Sequence, residues 1–386
     1  MKKYHFIALA VCCGFLWACQ KDGPTENPYA DAPWAIDETL PVPIQVTTKS
    51  TDTKANAITV LDANTALQVL AYDTARGESS LMYDREFAAT SSAGNLSFTG
   101  GDLYYPFEEA SAEEDRINYS FFAYHAPGAS GTFVGNNYIL SFPFDPVDNN
   151  NDILAAADAE EAGGYTLQAT HGRYTAGTTY HGFNGRYARV TRLDGNLKSP
   201  ALNFKHCAAR IIINVKADPD DNTAASSFAA SGLRLRLTSL TFPGARENAT
   251  LNLTSALTQT PEMTWDTSSD AVTDGIIAMP LAAARWTLPT DGGARMHTDN
   301  SLFIVPGNYQ ITVDYQRAHF ASEQDAEDGN PSDSPVDLPS IGLTVPAGGY
   351  LAGYTYTYNV IVLSESEISI SATLAGWQNG DTFNQY

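Results

Sequence analysis

The chain has 386 residues and a formal net charge of −22 at pH 7. This length is enough for two domains with buried cores, because typical domains have about 100 to 200 residues. The acidic balance argues against nucleic acid as a partner, since phosphate binding needs clustered Lys and Arg.

The N-terminus has the pattern of an export signal. Lys2 and Lys3 form a positive start, and an apolar stretch follows from Phe6 to Ala18. That stretch is too short to cross the roughly 30 Å apolar core of a bilayer as a helix. We therefore predict a signal peptide over residues 1–18. Its removal makes the net charge −24, because both lysines leave with it and it contains no acidic residue.

The residues around Cys19 predict a lipoprotein. Leu16 supplies the aliphatic side chain that a lipobox needs three positions before the cysteine, and Ala18 supplies the small residue directly before it. Ordinary secretory cleavage, with Cys19 as a chance residue, is the alternative, because both signal types end in small residues. The run at 20–24 resembles the surface-export tag of Bacteroidetes lipoproteins. We expect palmitate on Cys19 and a location on the outer face of the outer membrane.

The cysteine count excludes an internal disulfide in the mature chain. Cys12 and Cys13 lie in the signal peptide and Cys19 carries the predicted lipid, so Cys207 is the single remaining thiol. No second apolar run approaches the roughly 18 residues that a membrane helix needs. The lipid is therefore the one membrane attachment that we predict.

The segment 19–53 is predicted to be a lipidated tether or leader. It is rich in Pro, Asp, Glu and Thr, and its prolines are expected to keep it extended and away from the rest of the chain. We expect the first apolar alternation to begin only at Ile58.

Short stretches of period-two alternation predict β-strands, and helical patterns are scarce. The predicted strands lie at 67–72, 118–124, 138–142, 204–215, 233–237, 311–315, 354–362 and 368–374. Along 233–237 the leucines should face a core and the arginines should face water. We expect an all-β chain with two antiparallel β-sandwich domains, at residues 54–200 and 201–386.

Several segments, taken in their order along the chain, resemble the fimbrillin-like (type V) pilus subunits of Bacteroidales. After the lipobox leader they are residues 119–127, 151–156, 202–210 and a closing strand pair that runs from 353–358 to 377–380. The resemblance covers most of the chain. It implies transthyretin-like β-sandwich domains and a structural or adhesive subunit of a surface fimbria, with a stalk, tip or anchor role left open.

The resemblance also implies a route of assembly. In such pilins a protease specific for Arg or Lys removes the leader together with the first strand, and a strand of the next subunit fills the groove that is left. Lys49 and Lys54 are the only basic residues between Lys21 and Arg76. We expect a cut after Lys54, or else after Lys49, with Arg76 as the next candidate. The implied partners are other pilus subunits and a host or bacterial surface ligand.

No residue pattern predicts catalysis, and we expect no catalytic residue, metal ion or cofactor. Cys207 beside His206 is expected to be a core cysteine with a boundary histidine, because neighbouring strand residues point to opposite faces. The run 148–152 lacks the glycine and the late glutamate of a calcium loop and is expected to be a solvated turn. His171 and His181 are expected to be loop residues rather than metal ligands.

A surface lipoprotein that binds glycans and never polymerises is the alternative function. The chain has 20 tyrosines, and aromatic side chains can form sugar-binding platforms. Tyr354, Tyr356 and Tyr358, however, alternate with period two, which favours one face of a β-sandwich over a platform.

Overall fold

The computed structural model of the protein describes residues 31–48, 64–92, 94–107, 116–147, 152–160, 163–217, 224–258, 261–278, 285–289, 294–295, 302–364 and 367–376. Within them the chain is mostly β. The strands of the first half are β1 (Thr47–Thr48), β2 (Ala66–Tyr72), β3 (Phe87–Ser92), β4 (Asn95–Phe98), β5 (Ser120–His125), β6 (Ser130–Val134), β7 (Asn137–Pro143), β8 (Leu154–Asp158), β9 (Tyr165–Thr166), β10 (Thr179–Tyr180), β11 (Ala201–Leu202) and β12 (Lys205–His206).

The second half continues with strands of the same kind and with few helices. Its strands are β13 (Ala209–Ala217), β14 (Leu233–Thr241), β15 (Asn248–Asn252), β16 (Glu262–Trp265), β17 (Ile276–Ala278), β18 (Ala294–Arg295), β19 (Leu302–Ile304), β20 (Thr312–His319), β21 (Val336–Asp337), β22 (Ile341–Gly342), β23 (Tyr354–Ser364) and β24 (Glu367–Gly376). The described α-helices are α1 (Gly185–Leu193), α2 (Ala224–Ser231) and α3 (Glu323–Glu327). None of the described helices is long and apolar enough to cross a membrane.

The largest sheet has eight strands in the order β11-β1-β4-β3-β2-β5-β8-β12. Its central strands are buried on both faces. On β2, Val69 and Ala71 join one core while Leu70 and Tyr72 join another. This double burial explains why the central strands are apolar over consecutive positions rather than strictly alternating.

A four-stranded sheet, β16-β15-β7-β6, covers one face of the large sheet. It combines a hairpin of the first half with a hairpin of the second, because β15 pairs with β7 from Asn248–Pro143 to Asn252–Ile139. The strands β11 and β12 also belong to the large sheet. The division of the chain at 200/201 into two domains stays a prediction, and hydrogen-bonded sheets extend across that position.

Strands β9 and β10 form a small two-stranded sheet, and two larger sheets enclose a core of their own. One has the order β18-β13-β23-β24 with β19 beside β13, and the other has the order β17-β14-β20-β21 with β22 beside β20. Their inner faces meet around buried aliphatic and tyrosine side chains from both sheets, including Ile213, Leu237, Val313 and Tyr358. The predicted all-β, sandwich-like fold is confirmed.

Two details of the second half differ from the predictions. First, β13 and β23 pair in parallel from Arg210–Thr355 to Ala217–Val362, whereas purely antiparallel sheets were expected. Two neighbouring parallel strands must be joined by a long crossover connection. The chain between β13 and β23 provides that connection, and it forms the opposite sheet on the way. Second, Arg234 is buried and donates to Glu323 of α3 at 2.7 Å instead of facing water. This partner lies 89 positions further along the chain.

Residues 31–48 do not form a free tether. Val42, Ile44 and Val46 are buried in the core of the large sheet. The prediction of an extended tether over 19–53 is therefore wrong for this part, because apolar side chains alternate here and a slot for them exists in the fold. The first apolar alternation consequently begins at Val42 rather than at Ile58.

Candidate functional site

Residues 42–48 form an extended segment that we call the N-terminal strand. The candidate site is the slot in the large sheet that holds this strand. Its side chains alternate between core and surface: Val42, Ile44 and Val46 are 4%, 6% and 3% exposed, while Gln45 is exposed. Successive side chains of an extended chain point to opposite faces, so three aliphatic residues at every second position face the core together.

The N-terminal strand is hydrogen-bonded on both sides. On one side it pairs antiparallel, with bonds from Ile44 N to Leu103 O (2.8 Å), Tyr105 N to Val42 O (2.9 Å), Leu96 N to Val46 O (3.0 Å) and Thr48 N to Gly94 O (2.8 Å). On the other side it runs parallel to β11, and Thr47 N donates to Pro200 O at 2.9 Å. Removing this strand would therefore leave two ladders of backbone groups without partners.

The slot beneath the N-terminal strand is apolar. The core that receives the strand also contains side chains of β4, β5, β11 and α1, namely Leu96, Phe121, Leu202 and Tyr187. These partners come from positions up to about 150 residues away along the chain, as the pairing of Thr48 with Leu202 shows. The slot is thus a product of the folded domain and not of the leader itself.

Helix α1 carries the residue that holds the segment before this strand. Asn184 begins the helix, since its side chain accepts a hydrogen bond from Tyr187 N at 2.9 Å. One turn later Arg189 is buried, with 7% of its surface exposed. Its guanidinium donates to four backbone carbonyls of residues 34–40: those of Trp34, Asp37 (2.9 Å), Glu38 (3.3 Å) and Leu40 (2.6 Å).

The charge of Arg189 is held in an environment poor in water. Desolvation lowers the pKa of this guanidinium below its usual value, yet arginine stays charged in proteins. Buried charges are tolerated when hydrogen bonds satisfy them, and here four carbonyl oxygens do so. Sequence reasoning missed Arg189, because an arginine on a short helix carries no signal of its own and its partners lie about 150 residues earlier.

The predicted lipidation and cleavage residues lie outside the described part of the chain. This applies to Cys19, Lys49 and Lys54. In sequence, Lys49 directly follows Thr48, the last residue of the N-terminal strand, and Lys54 follows five residues later. Arg76 is described: it lies just after the central strand β2 and forms an ion pair with Asp73 at 3.3 Å.

The residues weighed as chemical sites do not come together as one. Cys207 is a buried core residue, as predicted, and desolvation raises the pKa of its thiol. His206 is also buried, at 1% exposed, rather than lying at a boundary, and its Nδ1 lies 2.7 Å from Asp152 Oδ1. Of the run 148–152, only Asp152 is described.

The histidines 171 and 181 contact different carboxylates. His171 lies 3.2 Å from Asp194, and His181 lies 3.3 Å from Glu160. Among the residues that the structure describes, no group of three His, Cys, Asp or Glu side chains is placed to hold a metal ion.

The tyrosines of β23 face the core. Tyr356 and Tyr358 are 2% and 0% exposed, and Tyr354 packs against the same core from a partly buried position. The hydroxyl of Tyr358 donates to Thr344 O at 2.8 Å, and that of Tyr356 donates to Gly349 O at 3.2 Å. The period-two tyrosines therefore form a sandwich face, as predicted, and are not available as a sugar platform.

Comparisons with known proteins identify solved structures with a similar fold. No protein-family profile matches the sequence, and no curated protein sequence matches it either. The structure is similar to that of a fimbrial protein from Bacteroides vulgatus, with a TM-score of 0.50 and 12% identity over 87% of this chain and 99% of that one. The chain has the fold of a fimbrial protein.

Two further solved structures are more distant. One is a candidate cell adhesion protein from Bacteroides uniformis, with a TM-score of 0.42 and 13% identity over 88% of this chain and 99% of that one. The other is a fimbrilin from Porphyromonas gingivalis, with a TM-score of 0.38 and 10% identity over 87% of this chain and 97% of that one.

Proposed function

We propose that this protein is a structural or adhesive subunit of a surface pilus. It is exported as a lipoprotein, anchored in the outer membrane through Cys19, and assembled by strand addition after its leader is removed. The observation that carries the proposal is the position of the N-terminal strand, which lies between β11 and β4 in the large sheet although it precedes the other strands of that sheet along the chain.

The physical consequence of losing the N-terminal strand supports this proposal. Burying a Val or Ile side chain contributes about 1.5–3 kcal/mol, and three such side chains would leave the slot together. Each buried backbone group that loses its partner costs about 1–3 kcal/mol. A subunit opened in this way is strongly stabilised by any extended segment that refills the slot, and a strand of another subunit provides one.

The position of the lysines fits removal of this strand. A cut after Lys49 or Lys54 separates the N-terminal strand from everything that follows, and β2 begins only at Ala66. A cut after Arg76 would also remove β2, which lies between β3 and β5 in the middle of the sheet. Such a cut would destroy the core instead of opening a slot, so Arg76 is the weaker candidate.

The cut also separates the subunit from its lipid. The leader carries Cys19, so a subunit that has lost its leader has also lost its membrane anchor, while an uncut subunit stays anchored and closed. Processing therefore decides between a polymerising and an anchored form.

The fold shared with a fimbrial protein supports a surface appendage, and a host or bacterial surface ligand is the partner proposed for an adhesive role. Catalysis is not part of the proposed function.

The test is the double substitution Lys49→Gln with Lys54→Gln, expressed in the native host. Wild-type protein should form ladders of oligomers on unboiled gels, because a buried added strand resists detergent. The double variant should remain a lipidated monomer. Arg285→Gln is the control, since it removes an exposed basic residue outside the leader and should polymerise like wild type.

Two outcomes would contradict the proposal. If the double variant polymerises normally, assembly needs no cut at these lysines. If the cut protein stays monomeric and binds a polysaccharide, the glycan-binding alternative replaces the pilus role.

A further inference from the structure

The segment before the N-terminal strand has its own set of contacts, which we call the arginine clasp: Arg173, Arg189 and Arg192. These three side chains contact residues 31–40 and no other part of the leader that the structure describes. The segment 31–40 contains three acidic residues and no basic one. A cationic surface of the folded domain thus faces an acidic stretch of the leader.

Arg189 is the centre of the clasp. A guanidinium has five N–H donors in a rigid fork, which suits several fixed acceptors at once. Here the acceptors are carbonyl oxygens, so the contact depends on the path of the backbone and not on the leader's side chains. The helix α1 that presents Arg189 is fixed to the core through Tyr187 and Val190.

Arg173 and Arg192 contribute less than Arg189 to holding residues 31–40. Arg192 contacts Asp31 at 2.8 Å, but 77% of the Asp31 side chain is exposed. Arg173 contacts Glu38 at 2.5 Å, and 65% of the Arg173 side chain is exposed. Exposed ion pairs typically contribute little to stability and weaken in salt. Among the three arginines, Arg189 should therefore contribute most to retention of the segment.

We propose that the arginine clasp is a peptide-binding site whose ligand is the chain's own residues 31–40, and that it keeps the leader on the subunit after the chain has been cut. None of the contacts of Arg189 depends on an intact chain beyond residue 48. Cutting and opening of the slot are then separate steps, and the leader leaves only when it is displaced. This inference rests on the proposed removal of the leader.

The experiment uses the full chain with Cys19→Ala and with a recognition sequence for a specific protease in place of residues 49–54. After complete cutting, gel filtration and mass spectrometry follow the fragment that ends before the cut. In the parent protein this fragment should co-elute with the subunit. Arg189→Met should release it at least about tenfold faster, which corresponds to about 1.4 kcal/mol. Release at the parent rate would overturn the proposal.

The control is Arg234→Met. Arg234 is as buried as Arg189, at 6% against 7% exposed, and it also donates hydrogen bonds, but it lies in the second half and contacts Glu323. Arg234→Met should release the fragment at the parent rate. If it accelerates release as much as Arg189→Met does, general destabilisation explains the effect and the clasp is refuted.

A second measurement does not depend on the folding of any variant. Subunits stripped of their leader are titrated with two synthetic peptides, residues 31–48 and residues 41–48. Both can fill the slot, but only the longer one reaches the clasp. The longer peptide should bind at least about tenfold more tightly. Equal affinities would overturn the proposal.

Failure of this proposal and failure of the pilus function give different results. If the leader leaves at once and stripped subunits polymerise, the clasp is wrong and the pilus function stands. If the leader is retained but stripped subunits stay monomeric, the clasp stands and the pilus function fails.

Discussion

The burial of Ile44 allows the packing of the N-terminal strand to be tested directly. Ile44 is 6% exposed and lies between Val42 and Val46 in the core. Ile44→Ala removes three carbon atoms, which at about 0.8 kcal/mol per buried methylene is about 2.4 kcal/mol before any cavity is counted. With the cavity that remains, the loss should be about 2–4 kcal/mol.

The same segment offers a matched control. Ile36 undergoes the same chemical change in Ile36→Ala, but it is 54% exposed. Its loss should stay below about 0.5 kcal/mol, as is usual for surface substitutions. Two effects of equal size would show that residues 42–48 are not packed as a strand of the sheet.

The assay is urea denaturation of the uncut chain together with amide hydrogen exchange. A chain with several cores need not unfold in one step, so exchange at individual amides identifies the part that is affected. In Ile44→Ala the amides of Leu96 and Tyr105, which donate to the N-terminal strand, should lose protection. Unchanged protection of these two amides in Ile44→Ala would refute the reasoning.

The remaining predictions concern the anchor and the second half of the chain. Cys19→Ala should lose labelled palmitate and become soluble, and persistent labelling would contradict the lipoprotein assignment. Tyr358→Phe should cost about 0.5–1.5 kcal/mol in urea denaturation, because the buried Tyr358 side chain loses its hydrogen bond to Thr344 O, and should leave polysaccharide binding unchanged. Asp266→Asn should cost less than about 1 kcal/mol at pH 7, because solvent screens this carboxylate, and still less in acid, because hydrogen bonds from Ser268 lower the pKa of Asp266 below its usual value. The stabilisation by the ionised Asp266 carboxylate is fully present above the usual pKa of aspartate. It is lost as the pH falls through the lowered pKa of Asp266 in the folded protein. An equal loss in urea denaturation at pH 7 and pH 3 would contradict it.

The sequence by itself determined the character of the strands. Alternation along 233–237 and 354–358 correctly predicts which leucines and tyrosines face the core, because side-chain direction in a strand is a local property with a period of two. The scarcity of helical periodicity likewise predicts the all-β class. Cys207 is correctly predicted as a core residue, since an unpaired cysteine beside apolar residues behaves as a small hydrophobic side chain.

Only the tertiary structure decided how these strands combine. The alternation at 42–46 is visible in the sequence, but its prolines also suit an extended tether, and the slot that decides between the two is built by residues 94–105 and 200–202. The parallel direction of β13 and β23 and the pairing of β7 with β15 depend on contacts between distant parts of the chain. The same is true of Arg189, whose carbonyl partners lie about 150 residues earlier. Local patterns set which face a side chain takes, whereas the partner and direction of a strand depend on which distant segments the folded chain brings together.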